Sequence, residues 1–152
     1  VHFLCNRGAN GLDGLISSGI GAAAASGRPA WILTGDLGLL HDSNGLAALR
    51  HAGEPVRIVV FNNNGGGIFE FLPQADEIDR DEFETLFATP AGLDLGRLAD
   101  LYEVAHRRVS SLDELANLTA ETAIIEIPVE RSANVGVHRR LNELVAAALE
   151  TH

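Results

Sequence analysis

The chain has 152 residues and a formal net charge of −10 at pH 7, with 46% hydrophobic and 21% charged residues. That length fits one domain with a buried core, and the acidic balance argues against a nucleic-acid phosphate binder, whose surface is normally basic. No apolar run approaches the ~18 residues of a membrane span, and the single cysteine, Cys5, leaves no intrachain disulfide and suits a reducing compartment, with the cytoplasm as the default.

The sequence holds no methionine and starts directly in an apolar run, so it is expected to be the C-terminal piece of a longer polypeptide, forming a single domain over residues 1–152. Val1-His2-Phe3-Leu4-Cys5 reads as a short buried strand, with Cys5 a small buried hydrophobe. Asn6 to Gly11 is a turn-rich loop. Asp13 is a plausible N-cap for a helix over Gly14 to Ser26, where Leu15, Ile16 and Ile20 recur at helical spacing and Gly27-Arg28-Pro29 ends the run. Ala30 to Leu33 is a continuous apolar run, as in a strand covered on both faces. Asp42 to His51 reads as a helix stopped by Gly53. Val56 to Phe61 is the strongest strand pattern in the chain. Pro73 to Thr89 is polar, with a short helix expected near Asp81 to Phe87. Asp94 to Tyr102 carries Leu95, Leu98 and Leu101 on one helical face, and a short strand lies within Tyr102 to Val109. Ser111 with Glu114 forms a capping box for a helix to about Leu118. Thr122 to Val129 contains the buried run Ile124-Ile125-Glu126-Ile127, and Asn134 to Leu149 ends as an Ala/Leu helix. This alternation predicts an α/β fold: a mostly parallel sheet with helices on both faces.

Two strand ends carry the chemistry. Ala30 to Leu33 leads into Thr34-Gly35-Asp36, and Val56 to Phe61 leads into Asn62-Asn63-Asn64-Gly65-Gly66-Gly67-Ile68-Phe69. In an open parallel sheet, ligands bind beyond the strand carboxyl ends. Asp36 and Asn63 stand 27 positions apart. A hard cation such as Mg²⁺ takes oxygen ligands; Asp36 offers a carboxylate oxygen, Asn63 an amide oxygen, and the glycine run a carbonyl. The glycines also let backbone approach a phosphate with N–H groups to donate. The alternative is an irregular turn, since Asn and Gly are common turn formers. The six histidines show no metal-ligand spacing, no Gly-x-Ser-x-Gly elbow is present, and no residue of the chain is assigned a catalytic role.

The pairing of Gly35-Asp36 with a terminal Asn cluster resembles the thiamine-diphosphate signature. Asn6-Arg7-Gly8-Ala9-Asn10-Gly11-Leu12-Asp13-Gly14, Gly35-Asp36-Leu37 and the run from Asn62 to Phe69 resemble its menaquinone-pathway branch, densely over residues 6–73 and only in topology beyond. The resemblance implies a transferase that uses thiamine diphosphate and Mg²⁺ to decarboxylate 2-oxoglutarate and add the resulting carbanion to isochorismate. By the same resemblance, Asp36, Asn63 and the Gly65 carbonyl hold the metal. Gly35, Leu37, Gly38, Gly66 and Ile68 line the cofactor, and Leu12 wedges it into a bent shape. Arg7 meets a substrate carboxylate, as suits a guanidinium, and Ile68, Phe69 and Leu72 wall the reacting carbons. The resemblance further implies a glutamate on the pyrimidine-binding domain of a second subunit, a homodimer or homotetramer at full length, and an isolated fragment without turnover. The general signature has Gly where this chain has Leu37, and Asn10 stands where a smaller residue is expected. A different thiamine-diphosphate enzyme, acetolactate-synthase-like or a decarboxylase, and a non-catalytic α/β binding module are the alternatives.

Overall fold

A computed structural model of the chain describes residues 2–6, 12–118 and 120–150. The chain divides into two compact units. One comprises Val1–Asn62 with Gly92–Pro128, and the other Asn63–Ala91 with Val129–His152.

The first unit is a four-stranded parallel sheet in the order β1-β2-β4-β3, built from β1 (Ala30–Gly35), β2 (Val56–Asn62), β3 (Ala105–Arg108) and β4 (Ala123–Pro128). The apolar runs that predicted β1, β2 and β4 are buried because a parallel sheet is covered on both faces. Ile58, Val60 and Ile124 pack into one cluster with Ile16 and Ile20 of α1 (Leu15–Ser26), Leu39 of α2 (Asp36–His41) and Leu95 and Ala99 of α5 (Leu95–Leu101). Val59, Val109, Ala123 and Ile125 form a second cluster. Register places Gly35 beside Phe61, so the carboxyl ends of β1 and β2 are neighbours.

Several expectations are corrected. Residues 2–6 form no strand and are largely exposed, Cys5 included; among the described residues no strand pairs with the outer edge of β1, and a cavity of about 920 Å³ is lined by residues 2–6, α1 and Ala30 to Leu33. The α1 N-cap is Gly14, at φ 70°, without a side-chain cap; the carbonyl of Asp13 instead accepts from Asn6 Nδ2 at 3.2 Å. The expected Asp42 to His51 α-helix is a 3₁₀ segment, Ser43–His51. The Gly45 N–H bonds the Asp42 carbonyl three residues back at 2.9 Å, and the Asp42 carboxylate is held by the N–H and hydroxyl of Ser17 at 2.9 and 3.2 Å. That anchor fixes the segment close to α1, where a Cβ on Gly45 would press on Ser17 Oγ at 2.6 Å. On α5 the buried face is Leu95 and Ala99, and Leu101 is exposed.

The second unit has little regular structure: a 3₁₀ segment Gly67–Phe71, the one-turn helices α3 (Gln74–Glu77) and α4 (Arg80–Phe83), a π-helical turn Glu84–Ala88, and the long α7 (Arg131–Glu150). The helix α7 begins three residues before its expected start. Glu130, just outside it, accepts from the Ser132 hydroxyl at 2.7 Å and the Ala133 N–H at 2.6 Å, and these bonds hold its carboxyl below the usual range. The remaining helix, α6 (Leu112–Ala116), belongs to the sheet unit.

Candidate cofactor and metal site

At the end of β1 the chain turns directly into α2, an element absent from the sequence reading because Gly35-Asp36 reads as a loop. Asp36 is the first residue of α2 and only 3% exposed. Gly38 sits one turn into α2. A Cβ at Gly38 would overlap the Thr34 hydroxyl and stand 3.3 Å from Leu12 Cδ2. Three stretches that the sequence reading separated, around Leu12, Thr34 and Gly38, therefore meet, and a glycine is required at their junction. Leu12 is 43% exposed, so its side chain is not ordinary core. Arg7, Asn10 and Gly11 lie outside the described residues.

Beyond β2, the Asn/Gly run forms a tight loop. Gly65 adopts φ 132°, a region that L side chains rarely occupy, and a Cβ there would strike the Ala88 carbonyl. A Cβ on Gly67 would meet Nδ2 of Asn63, so that nitrogen is the amide atom packed against Gly67. The N–H groups of this loop are not directed at a phosphate throughout, contrary to expectation. Gly66 donates to the Ala88 carbonyl at 2.6 Å and Gly67 to the Gly65 carbonyl at 2.9 Å. Both acceptors are backbone oxygens supplied by the fold of this loop and the π-turn. Ile68 and Phe69 lie on the following 3₁₀ segment with Leu72 just past it; Ile68 is 74% exposed, and Phe69 stacks edge-on against Phe87 with centroids 5.9 Å apart.

Taken separately, each unit offers oxygen donors of the kind a hard divalent cation takes: the Asp36 carboxylate in the sheet unit, and in the second unit the Asn63 amide oxygen and the Gly65 carbonyl, whose two lone pairs allow it to accept the Gly67 N–H and still bind a cation. Among the described residues, no three His, Cys, Asp or Glu side chains converge, and a set of one carboxylate, one amide and one carbonyl does not require such a cluster.

The chain matches the family described as thiamine pyrophosphate enzyme, C-terminal TPP binding domain, over residues 2–130. The chain belongs to that family. The TPP-binding domain is 46% identical over 154 residues to the 2-succinyl-5-enolpyruvyl-6-hydroxy-3-cyclohexene-1-carboxylate synthase of Myxococcus xanthus, covering 98% of this chain and 26% of that protein. It is 44% identical to the synthase of the same name from Oceanobacillus iheyensis, again over 98% of this chain and 26% of the relative. The chain thus spans about a quarter of the length of these curated relatives. Its fold is also that of part of benzoylformate decarboxylase from Polynucleobacter necessarius, with TM-score 0.62 and 24% identity over 81% of this chain and 24% of that one.

Sequence reasoning missed two charged groupings. In the sheet unit, Glu126 is buried on β4 and accepts from Asn62 Nδ2 at 2.9 Å, with His106 Nε2 at 3.0 Å and Arg108 Nη1 at 3.6 Å. The signal was present: Glu126 is the one charged residue in Ile124-Ile125-Glu126-Ile127. In the second unit Glu70 receives both Arg80 nitrogens at 3.0 and 2.7 Å, and Arg131 donates to Glu84 at 2.7 Å while lying 3.6 Å from Glu70. The Arg80 hydrogen bonds hold the Glu70 carboxyl below its usual range, against the opposing effect of burial. These partners are far apart in sequence, so no local pattern announces them. Among the described residues, no helix is long and apolar enough to cross a membrane.

Proposed function

We propose that this domain is the diphosphate- and metal-binding part of a thiamine-diphosphate-dependent synthase that decarboxylates 2-oxoglutarate and joins the remaining carbons to isochorismate in menaquinone biosynthesis. The observation that carries this reading is the 46% identity across 98% of the chain to a relative bearing the synthase name. The close meeting of Leu12, Thr34 and Gly38 supports it from the structural side.

In this reading Asp36, Asn63 and the Gly65 carbonyl hold Mg²⁺, and Gly35, Leu37, Gly38, Gly66 and Ile68 line the cofactor. Gly66 contributes close packing, its N–H being committed to Ala88. Leu12, projecting beside Gly38, wedges the cofactor into its bent shape. Thiamine diphosphate, when bound, supplies the electron sink that 2-oxo acid decarboxylation needs. The chain's own residues bind, orient and exclude water. Arg7 pairs with a substrate carboxylate, and Ile68, Phe69 and Leu72 give the reacting carbons an apolar wall. The pyrimidine-binding domain of a second subunit completes the site in a homodimer or homotetramer, and the protein works in the cytoplasm. The isolated domain binds Mg²⁺-diphosphate weakly and turns nothing over.

Calorimetry of thiamine diphosphate into the full-length protein, with and without Mg²⁺, tests the site. Asp36→Ala is expected to abolish the Mg²⁺-dependent part of binding, and an unchanged affinity would remove Asp36 from the metal site. Turnover of 2-oxoglutarate with isochorismate, set against turnover of pyruvate, tests the substrate class; a preference for pyruvate would assign the domain to another thiamine-diphosphate enzyme.

A further inference from the structure

A carboxylate is costly to bury unless it is fully partnered. Glu126 is 5% exposed and lies in a strand whose neighbours, Ile124 and Ile125, are ordinary core. In register it faces Val60 on β2 and Arg108 on β3. A Val or Ile would fill the position without any desolvation cost. Its partners show what the charge does. One oxygen takes the His106 ring nitrogen at 3.0 Å; the other takes Asn62 Nδ2 at 2.9 Å, with Arg108 at 3.6 Å.

Asn62 is the last residue of β2, and Asn63 follows it directly. In the β2–β4 ladder Asn62 stands opposite Pro128, which has no N–H to give. Asn62 is thus the last β2 residue in register with β4. The Glu126 side chain supplies a cross-strand bond to Asn62 at that point, and His106 fixes the rotamer of Glu126 from the other side.

We infer that Glu126 is a positioning residue: held by His106, it anchors Asn62 at the end of β2 and so fixes the backbone point from which Asn63, the proposed cation ligand, follows. This inference rests on the reading of Asn63 as a metal ligand. Partners behind a metal ligand typically tune affinity by ~10–100-fold.

The test is calorimetry of thiamine diphosphate into the full-length protein at a series of Mg²⁺ concentrations, read as the Mg²⁺ concentration for half-maximal cofactor binding. Glu126→Ala is expected to raise that midpoint by about tenfold, the lower end of such effects. Glu126→Gln, which keeps an oxygen acceptor for Asn62, is expected to stay close to the wild-type value. Asn62→Ala leaves Glu126 its His106 partner and is expected to move the midpoint as Glu126→Ala does, so the inference stays testable if Glu126→Ala fails to fold. Leu46→Ala, a core truncation in the same unit, should lower the melting temperature without moving the midpoint. If Asp36→Ala abolishes the Mg²⁺ dependence while Glu126→Ala and Asn62→Ala leave it unmoved, Glu126 is a structural buried acid only and the positioning role is wrong. If Asp36→Ala also changes nothing, the metal-site reading fails and the inference falls with it.

Discussion

In the sheet unit, Ile58 and Val60 of β2 and Ile124 of β4 share one cluster with Ile16, Leu39 and Leu95 from three surrounding helices. In the second unit Phe83 is, among the described residues, the one large apolar side chain that is fully buried, stacked on Phe87 with ring centroids 5.5 Å apart. There the loop carrying Glu70, the π-turn carrying Glu84 and the start of α7 are joined through Arg80 and Arg131. The sheet unit is thus held mainly by non-directional apolar burial, whose strength follows area. The second unit depends on directional charge pairs, which hold their geometry only while every partner is present. A domain built this way can keep its sheet constant while the segment bearing Ile68, Phe69 and Leu72 is set by a few specific contacts.

The largest expected effect comes from breaking the apolar side. Ile58 is fully buried in the central strand β2, and Ile58→Ala should cost about 3–4 kcal/mol in urea unfolding. Because that loss is a cavity and a transfer effect, it should be nearly the same at low and high salt; strong salt dependence would show that charge contributes to the sheet unit more than its core suggests.

Next in size is the charged side. Arg131 is 15% exposed and is shared by Glu70 and Glu84, while its buried Nη1, 3.6 Å from Glu70, makes no hydrogen bond among the described residues. Arg131→Met leaves two acidic groups with one cation fewer, and breaking a buried pair costs about 3 kcal/mol. The loss should appear in hydrogen exchange at Glu84–Ala88 and the first turn of α7, with β2 and β4 unchanged. Equal loss of protection in β2 would mean that the two units unfold as one.

Acid should separate the units more gently. Glu70 has its folded pKa lowered, chiefly by the Arg80 hydrogen bonds. The unfolded chain then binds the proton more readily, so this contribution is fully present above the ordinary carboxylate range, near pH 4.5, and is lost as pH falls through the folded value. On acidification the Glu70–Arg80 segment should lose exchange protection before β2 does, and Glu70→Gln should remove the difference.

The same contrast explains what could be read from sequence. β1, β2 and β4 announce themselves as continuous apolar runs because both faces of a parallel sheet are covered. The residues around Leu12, Asp36 and Asn63 stand out through their resemblance to a known signature, and the packing of Leu12 and Thr34 on Gly38 brings two of those stretches together. The helix α2 was hidden because its start, Gly35-Asp36, reads as a turn. The partners of the Gly66 and Gly67 N–H groups were also hidden, since the acceptors are the carbonyls of Ala88 and of Gly65 itself, fixed by loop geometry. The arginine–glutamate contacts of the second unit link residues as far apart as Glu70 and Arg131, which no periodicity encodes. Residues 2–6 show the opposite error: strand-forming residue types alone do not make a strand when no pairing is formed.

The smallest expected effect tests a feature read correctly from sequence. Ser111 Oγ accepts from the Glu114 N–H at 3.2 Å, as a capping box requires. The return bond differs: the Glu114 carboxylate takes the Ser110 N–H at 2.7 Å and its hydroxyl at 3.1 Å, and the Ser110 N–H is the main reason its pKa is lowered. Ser111→Ala should cost about 1 kcal/mol. Leu112 is 82% exposed and α6 is one short helix, so the loss should stay local, as faster amide exchange over Leu112–Ala116 with Ala123–Pro128 unaffected. If β4 loosened together with α6, the sheet unit would owe part of its stability to a perimeter cap, and the contrast between an apolar unit and a contact-dependent one would have to be drawn within that unit as well.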